Sequence, residues 1–194
     1  MDFLSYLAEH FDLPILNWIA QHLWCPFLDA VMPVVTVLGD AGAFWIGMAV
    51  VFLFNPKYRK VGLGIGAALL IGLLVCNITL KPLVARIRPY DYMAEHYGVT
   101  IKLLIEAQHD FSFPSGHTIA SFEAATVLMI HNKKIGIPAT ILASIIAFSR
   151  LYLYVHYPTD VIVSVILGIC FGFLGNWLVQ KGFSLYERKK ALKT

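Results

Sequence analysis

No lysine or arginine occurs before Lys57. The N-terminal segment, which carries Asp2, Glu9 and Asp12, therefore lacks the basic start of a cleaved secretory signal peptide and is read as mature sequence. Cysteine is equally sparse. Cys25, Cys76 and Cys170 are odd in number, far apart and set in apolar runs, which argues against a disulfide framework or a metal knuckle and leaves them as packing residues. Charge is the third scarcity: 14% of the 194 residues are charged against 58% hydrophobic, with a mean hydropathy of +0.70, a balance that excludes an ordinary soluble domain. The net charge of +3 gathers in a few loops and gives no reason to expect a nucleic-acid partner.

What is present is long apolar sequence. Runs at about 15–38, 41–54, 61–80, 118–130, 135–155 and 161–179 predict an all-α, polytopic membrane bundle of six transmembrane helices in a single domain over residues 1–194. Pro26, Asp29 and Pro33 interrupt the first run, so residues 1–24 have an alternative reading in which 13–24 lie in the membrane interface and five spans remain. Lys57, Arg59, Lys60, Lys133, Lys134 and the tail residues Lys181, Arg188, Lys189, Lys190 and Lys193 make up ten of the fifteen basic residues. Six spans place all ten on one side, which the positive-inside rule makes cytoplasmic, with 182–194 as a basic tail. The connections at 81–117 and 150–160 then face the extracytoplasmic side of what reads as a bacterial cell membrane.

Lys81, Arg86, Arg88, Lys102 and Arg150 fall on that far side against the rule, three of them at or near ends of apolar helices. Such placement is costly unless something anionic meets the charge, although any one of them alone reads equally as a snorkelling cation. In "KPLVARIRP" Lys81 and Arg88 are seven apart, nearly one helical face, and Arg86 points largely away, unless Pro82 breaks the helix. In "FSFPSGHTIASF" Ser115 is a natural N-cap, and Gly116 leaves the backbone open. The first amides of the next helix then face an anion with the helix dipole behind them, a phosphate cradle whose bland alternative is a capped helix with a spectator histidine. In "SRLYLYVHYPTD" Pro158 suits a first helical turn, and Asp160 just inside it can reach back to His156 and fix the imidazole tautomer. An imidazole so held is a nucleophile toward phosphorus, and His117 can protonate the departing oxygen.

Together these blocks resemble the type 2 phosphatidic acid phosphatase superfamily, whose signature is K-x6-RP, PSGH and SR-x5-H-x3-D. All three are intact at Lys81 to Pro89, Pro114 to His117 and Ser149 to Asp160, and the likeness runs from "FLDAVMPVVTVLGDAG" to the last apolar run. The resemblance implies a membrane phosphatase without metal or other cofactor that works through a phosphohistidine. His156 would attack, Asp160 would orient it and His117 would protonate the leaving group; Lys81, Arg88 and Arg150 would hold the phosphoryl oxygens with Ser115 and the Gly116 amide. The substrate partner it implies is a lipid phosphate or diphosphate, with undecaprenyl diphosphate favoured by the small size and outward site. Phosphatidylglycerophosphate or phosphatidate is the alternative. A lipid or ion transporter whose buried charges form a pathway is the reading from another class, although no paired broken helices recur in the two halves.

Glu123 departs from the family pattern, in which small or apolar residues are commoner at that depth. An intramembrane carboxyl is a functional candidate; the opposing expectation is a carboxyl that ties helices together near Thr126 or Ser144, because six residues from His117 is another helix face. Gly62 and Gly66 have the spacing of close helix packing.

Overall fold

The computed structural model describes residues 3–192, and the regular structure in them is entirely helical. Met1, Asp2, Lys193 and Thr194 lie outside the described residues, and with them the last part of the expected basic tail. Helix α1 (Phe3–Leu7), a π-helical turn at Ala8–Asp12 and α2 (Leu13–Leu23) follow one another without a break. The chain extends at Trp24 and Cys25, and Pro26 opens α3 (Pro26–Val37), where a missing amide hydrogen costs nothing in the first turn. A short 3-10 turn at Asp40–Gly42, with Ala41 and Gly42 both left-handed at φ 50° and 66°, leads into α4 (Ala43–Phe54).

Helix α5 (Arg59–Gly72) continues through a π-helical stretch, Leu73–Leu80, into α6 (Lys81–Val84). Ala85, left-handed at φ 48°, stops it, and after an irregular stretch Pro89 opens α7 (Pro89–Tyr97), which Gly98 closes at φ 66°. A loop then leads to α8 (Gly116–His131), α9 (Lys133–Tyr152) and α10 (Pro158–Ala191).

Among the described residues three helical runs are long and apolar enough to cross a membrane, Arg59–Tyr97, Lys133–Tyr152 and Pro158–Ala191; α3 with the following turn and α4, bent by 42°, makes a fourth if the pair is one span. The first expected span does not form. Both ends of α2 are tied to one end of the bundle: Asp12 is bonded to Arg86 and Thr159, Asn17 accepts from the Tyr154 hydroxyl, and the Trp24 indole donates to the Tyr152 carbonyl. A helix anchored at both ends to one layer lies across it. The run at 15–38 is divided at Trp24 and Cys25 into α2 and α3, and the three or four candidate spans among the described residues do not confirm the count of six. The tail differs too, because α10 runs on to Ala191 as 34 residues of continuous helix, about 51 Å at 1.5 Å per residue.

Helix α8 is the hub. Its Ala124, Ala125 and Val127 are closed to solvent and pack with Trp45, Ile65, Ala68 and Ile146 from the surrounding helices. A helix apolar on all sides has no face to offer water and belongs inside a bundle. The Trp45 indole donates to Ser121 Oγ at 3.0 Å, which satisfies the one polar atom of that ring. Large apolar side chains such as Phe54, Ile78 and Phe173 point outward, as a lipid-facing surface requires. A second cluster, with Leu16, Tyr152, Tyr154 and Tyr157 fully buried, fastens α2 over the end of the bundle where Lys81, Arg88, His117 and His156 emerge.

Candidate active site

The three sequence blocks meet at that end. Lys81 comes from the first turn of α6, Arg88 from the last residue before α7, Ser115 to His117 from the start of α8, Arg150 from the last turn of α9, and His156 and Asp160 from the turn into α10. The helix that was to hold Lys81 and Arg88 on one face ends at Val84, so their shared face is lost, yet both reach the same carboxylate. Asp110 Oδ1 accepts from Arg88 Nη2 at 2.5 Å, and Asp110 Oδ2 is bonded to Lys81 Nζ. Partial burial pushes the Asp110 carboxyl up, but the hydrogen bonds and charges of Lys81 and Arg88 outweigh it and hold it at about 2. Asp110 is half exposed, and its oxygens lie on the donors that the family resemblance assigns to phosphoryl oxygens.

Ser115 caps α8 as expected: its Oγ accepts from the Thr118 amide at 3.5 Å and from the Thr118 hydroxyl at 3.0 Å, while its own amide donates to Ser164 Oγ at 2.8 Å. A Cβ on Gly116 would come 3.3 Å from Asn77 Oδ1, so the bare backbone keeps that approach open. His117 Nε2 lies 2.7 Å from Asp40 Oδ1 and 3.3 Å from Arg150 Nη1. Gly39 makes room for the ring, because a Cβ there would stand 2.6 Å from His117 Cδ2. Arg150 is almost fully buried, donates through Nη1 to Thr36 Oγ1 at 2.6 Å, and keeps its Nε without a partner.

His156 is 2% exposed, with Nε2 3.4 Å from Arg88 Nη1 and Nδ1 3.6 Å from Asp160 Oδ2. Burial, then the charges of Arg88, Arg150, Lys81 and His117, lower its pKa well below the ordinary imidazole value, so the ring is neutral with a lone pair free. The expected hydrogen bond from His156 Nδ1 to Asp160 is not closed. One Asp160 oxygen accepts from Arg86 Nη1 at 2.6 Å and the other from the Tyr157 amide at 3.0 Å, leaving His156 Nδ1 within ion-pair range but unbonded. Arg86 does point away from Lys81 and Arg88, as its position in the block indicated, but toward Asp160 and Asp12 and not toward lipid.

A cavity of about 810 Å³ joins this cluster to the apolar interior. Lys81, Arg88, His117, Arg150 and His156 line its polar end, and Val50, Leu53, Gly62, Leu63, Gly66 and Leu70 of α4 and α5 line the rest. Glu123 lines it as well, against the expectation that its helix face would turn it elsewhere. The carboxyl makes no bond to Thr126 or Ser144; its Oε1 is buried without a hydrogen-bond partner and faces Gly72, where a Cβ would stand 2.1 Å away.

Sequence reasoning missed Asp40, Thr36, Asn77 and Asp110. Asp40 left a signal, a lone carboxylate within an apolar stretch beside two glycines in "LGDAG"; Thr36 and Asn77 left none, as single polar residues inside apolar runs. Among the described residues no three His, Cys, Asp or Glu side chains converge as metal ligands.

The pattern of the PAP2 superfamily matches residues 61–184, well over half of the chain, and the chain belongs to that superfamily. It is 32% identical over 139 residues to an undecaprenyl-diphosphatase of Sulfolobus acidocaldarius, a match that covers 71% of this chain and 65% of that protein, just under two thirds of its length. It is 31% identical to the undecaprenyl-diphosphatase BcrC of Bacillus subtilis, over 76% of this chain and 72% of the relative. Among solved structures it superposes on a PAP2-type phosphatidylglycerolphosphate phosphatase from Bacillus subtilis with a TM-score of 0.69 and 26% identity, covering 93% of this chain and 88% of that one.

Proposed function

We propose that this protein hydrolyses a lipid phosphate or diphosphate through a phosphohistidine, with undecaprenyl diphosphate the favoured substrate. The observation that carries the reading is the cavity, whose lining brings three cations and two histidines together with a long row of apolar side chains that only a few polar groups, Glu123 among them, interrupt. That is the shape of an anionic headgroup joined to a long hydrocarbon. The undecaprenyl-diphosphatases among its relatives favour the prenyl diphosphate; the structural likeness to a phosphatidylglycerolphosphate phosphatase supports a phosphatidylglycerophosphate as the second reading.

In this mechanism the terminal phosphoryl group displaces Asp110 from Lys81 and Arg88, and Lys81, Arg88 and Arg150 hold its oxygens, with the Ser115 hydroxyl and the Gly116 amide completing the cradle. His156 Nε2 attacks phosphorus, a P–N bond forms and the P–O bond to the leaving lipid phosphate breaks. His117, as an imidazolium whose Nε2 leaves Asp40 Oδ1 for the substrate, gives the Nε2 proton to that oxygen and becomes a neutral imidazole. Water then attacks the phosphohistidine, His117 takes its proton back, the P–N bond breaks, and orthophosphate leaves. Asp160 steadies the imidazolium character that develops on His156.

The whole chain forms one such domain. Helices α4, α5, α8, α9 and α10 cross the bilayer, and α1 and α2 lie at its extracytoplasmic face. This arrangement keeps Lys57 to Lys60, Lys133 to Lys134 and the basic end of α10 together on the cytoplasmic side.

Phosphate release by the detergent-solubilised protein, measured over a panel of lipid phosphates with EDTA present, tests the proposal. Turnover should survive chelation and not rise with magnesium or zinc. Loss with EDTA restored by one metal overturns the metal-independent mechanism, and no turnover with any lipid favours the transporter.

A further inference from the structure

We propose that Asp12 and Arg86 are positioning residues for the phosphoryl transfer, through which the transverse N-terminal helices hold Asp160 in place behind His156; this rests on the phosphatase reading above. Neither residue lines the cavity, and no assigned step uses either. Yet Arg86 is clamped between two carboxylates, donating through Nη2 to Asp12 Oδ2 and through Nη1 to Asp160 Oδ1, each at 2.6 Å. Nη1 also lies 2.8 Å from Thr159 Oγ1, and the guanidinium sits over the Tyr157 ring with Cζ 3.7 Å from its centroid. Asp12 in turn accepts from the Thr159 amide at 2.9 Å and from the Thr159 hydroxyl at 2.8 Å, in the first turn of α10 where backbone amides lack helical partners.

The side chains of Asp12 and Asp160 are fully buried and that of Arg86 nearly so. A desolvated cluster with two anions on one cation is a poor source of stability but a strong determinant of geometry, because any member that turns away leaves an uncompensated buried charge. Arg86 therefore does two things for Asp160. Its charge offsets part of the cost of burying the carboxylate, and by taking Oδ1 it fixes the torsion that aims Oδ2 at the Tyr157 amide and His156 Nδ1. With Asp12 absent, the guanidinium is free to turn both of its prongs onto Asp160 and draw it from the imidazole. Asp12 holds the other prong, so the N-terminal segment is part of the catalytic support.

The test uses the full chain in detergent, with Asp12→Asn, Arg86→Lys and Thr159→Val beside the wild type. Steady-state turnover of lipid diphosphate, single-turnover phosphoenzyme formation, inhibition by inorganic phosphate and thermal unfolding are measured. Asp12→Asn should lower kcat and the rate of phosphoenzyme formation on the order of tenfold or more, leaving KM and the inhibition constant for phosphate within about twofold. The Lys81, Arg88 and Arg150 clamp is untouched by that change. Arg86→Lys keeps the charge, loses the fork, and should be at least as slow. Thr159→Val removes only the bridging hydroxyl and should show the same kcat-selective loss to a smaller degree, which keeps the proposal testable if the charged variants fail to fold. Wild-type kcat in folded Asp12→Asn or in Thr159→Val overturns the proposal, as does a loss in which kcat, phosphate inhibition and thermal stability fall together. A wild type that hydrolyses no lipid phosphate refutes the phosphatase reading instead.

Discussion

His156 and His117 differ in what surrounds them, and the difference can be measured. His156 is sealed in the turn before α10 with Nε2 toward Arg88, whereas His117 sits at the open start of α8 beside the carboxylate of Asp40. His156→Ala removes the atom that bonds phosphorus, so neither steady-state turnover nor a burst is expected. His117→Ala removes the proton donor, which an aryl phosphate with a good leaving group does not need. That substrate should still phosphorylate His156 in a single turnover while steady-state hydrolysis of lipid is lost. Equal bursts from both variants would refute the division of labour. Arg150 supplies a second test at this scale. Its Nη1 is committed to Thr36 while its buried Nε has no partner, so the guanidinium can hold its own position and a phosphoryl oxygen at once. A lysine presents one point of charge for both tasks, and Arg150→Lys should lose nearly as much turnover as Arg150→Ala. The charged and titratable members of the proposed site stood out because each lay at or near the end of an apolar run. Thr36 and Asn77 were not, since a neutral polar residue inside an apolar helix reads the same whether it serves a site or a neighbouring backbone.

At the scale of elements, apolar runs located α5, α9 and α10 well but misjudged the start of the chain. The run at 15–38 was continuous enough in hydropathy to read as a span, and what decides otherwise is tertiary: Asp12, Asn17 and Trp24 all find partners at one end of the bundle. Spacing alone was also a poor guide to helix packing. Of the expected pair, Gly62 is a close approach, with a Cβ only 2.5 Å from the Ala49 carbonyl, whereas a Cβ on Gly66 meets nothing within 4 Å. A second close approach is on α10, where a Cβ on Gly175 would stand 2.6 Å from the backbone nitrogen of Ala68. Between these helices Glu123 is an element-level flaw. Leaving a buried carboxyl oxygen unbonded costs about 1–3 kcal/mol, and a methionine of similar length removes that cost without opening a cavity. Glu123→Met should therefore raise the thermal midpoint by a few degrees and leave aryl phosphate hydrolysis intact. A lower midpoint would mean that the carboxyl bonds something the helices need.

For the molecule as a whole, the proposed site has to meet a substrate that never leaves the bilayer. Helix α8 has 16 residues, about 24 Å of rise, while the hydrocarbon is roughly 30 Å thick, so His117 at its first turn belongs below the nearer headgroups when His131 marks the opposite edge. One cavity is lined both by the two histidines and by residues of α4 and α5. A lipid entering sideways keeps its tail beside Val50, Leu63 and Leu70 while its phosphate reaches Arg88 and Arg150. Gly66 is where this account can be broken. It lines the cavity, and a Cβ added there meets nothing within 4 Å, so Gly66→Phe puts a ring in the proposed path of the tail several helical turns from Lys81. The expected outcome is a kcat/KM for a long-chain lipid diphosphate lowered on the order of tenfold or more, with hydrolysis of a short, water-soluble aryl phosphate within about twofold of wild type. The selectivity of the loss is what matters, since a folding defect would reduce both. If long-chain and soluble substrates respond alike, or if neither responds, the tail does not lie between α4 and α5, and the headgroup must reach the histidines from the water side.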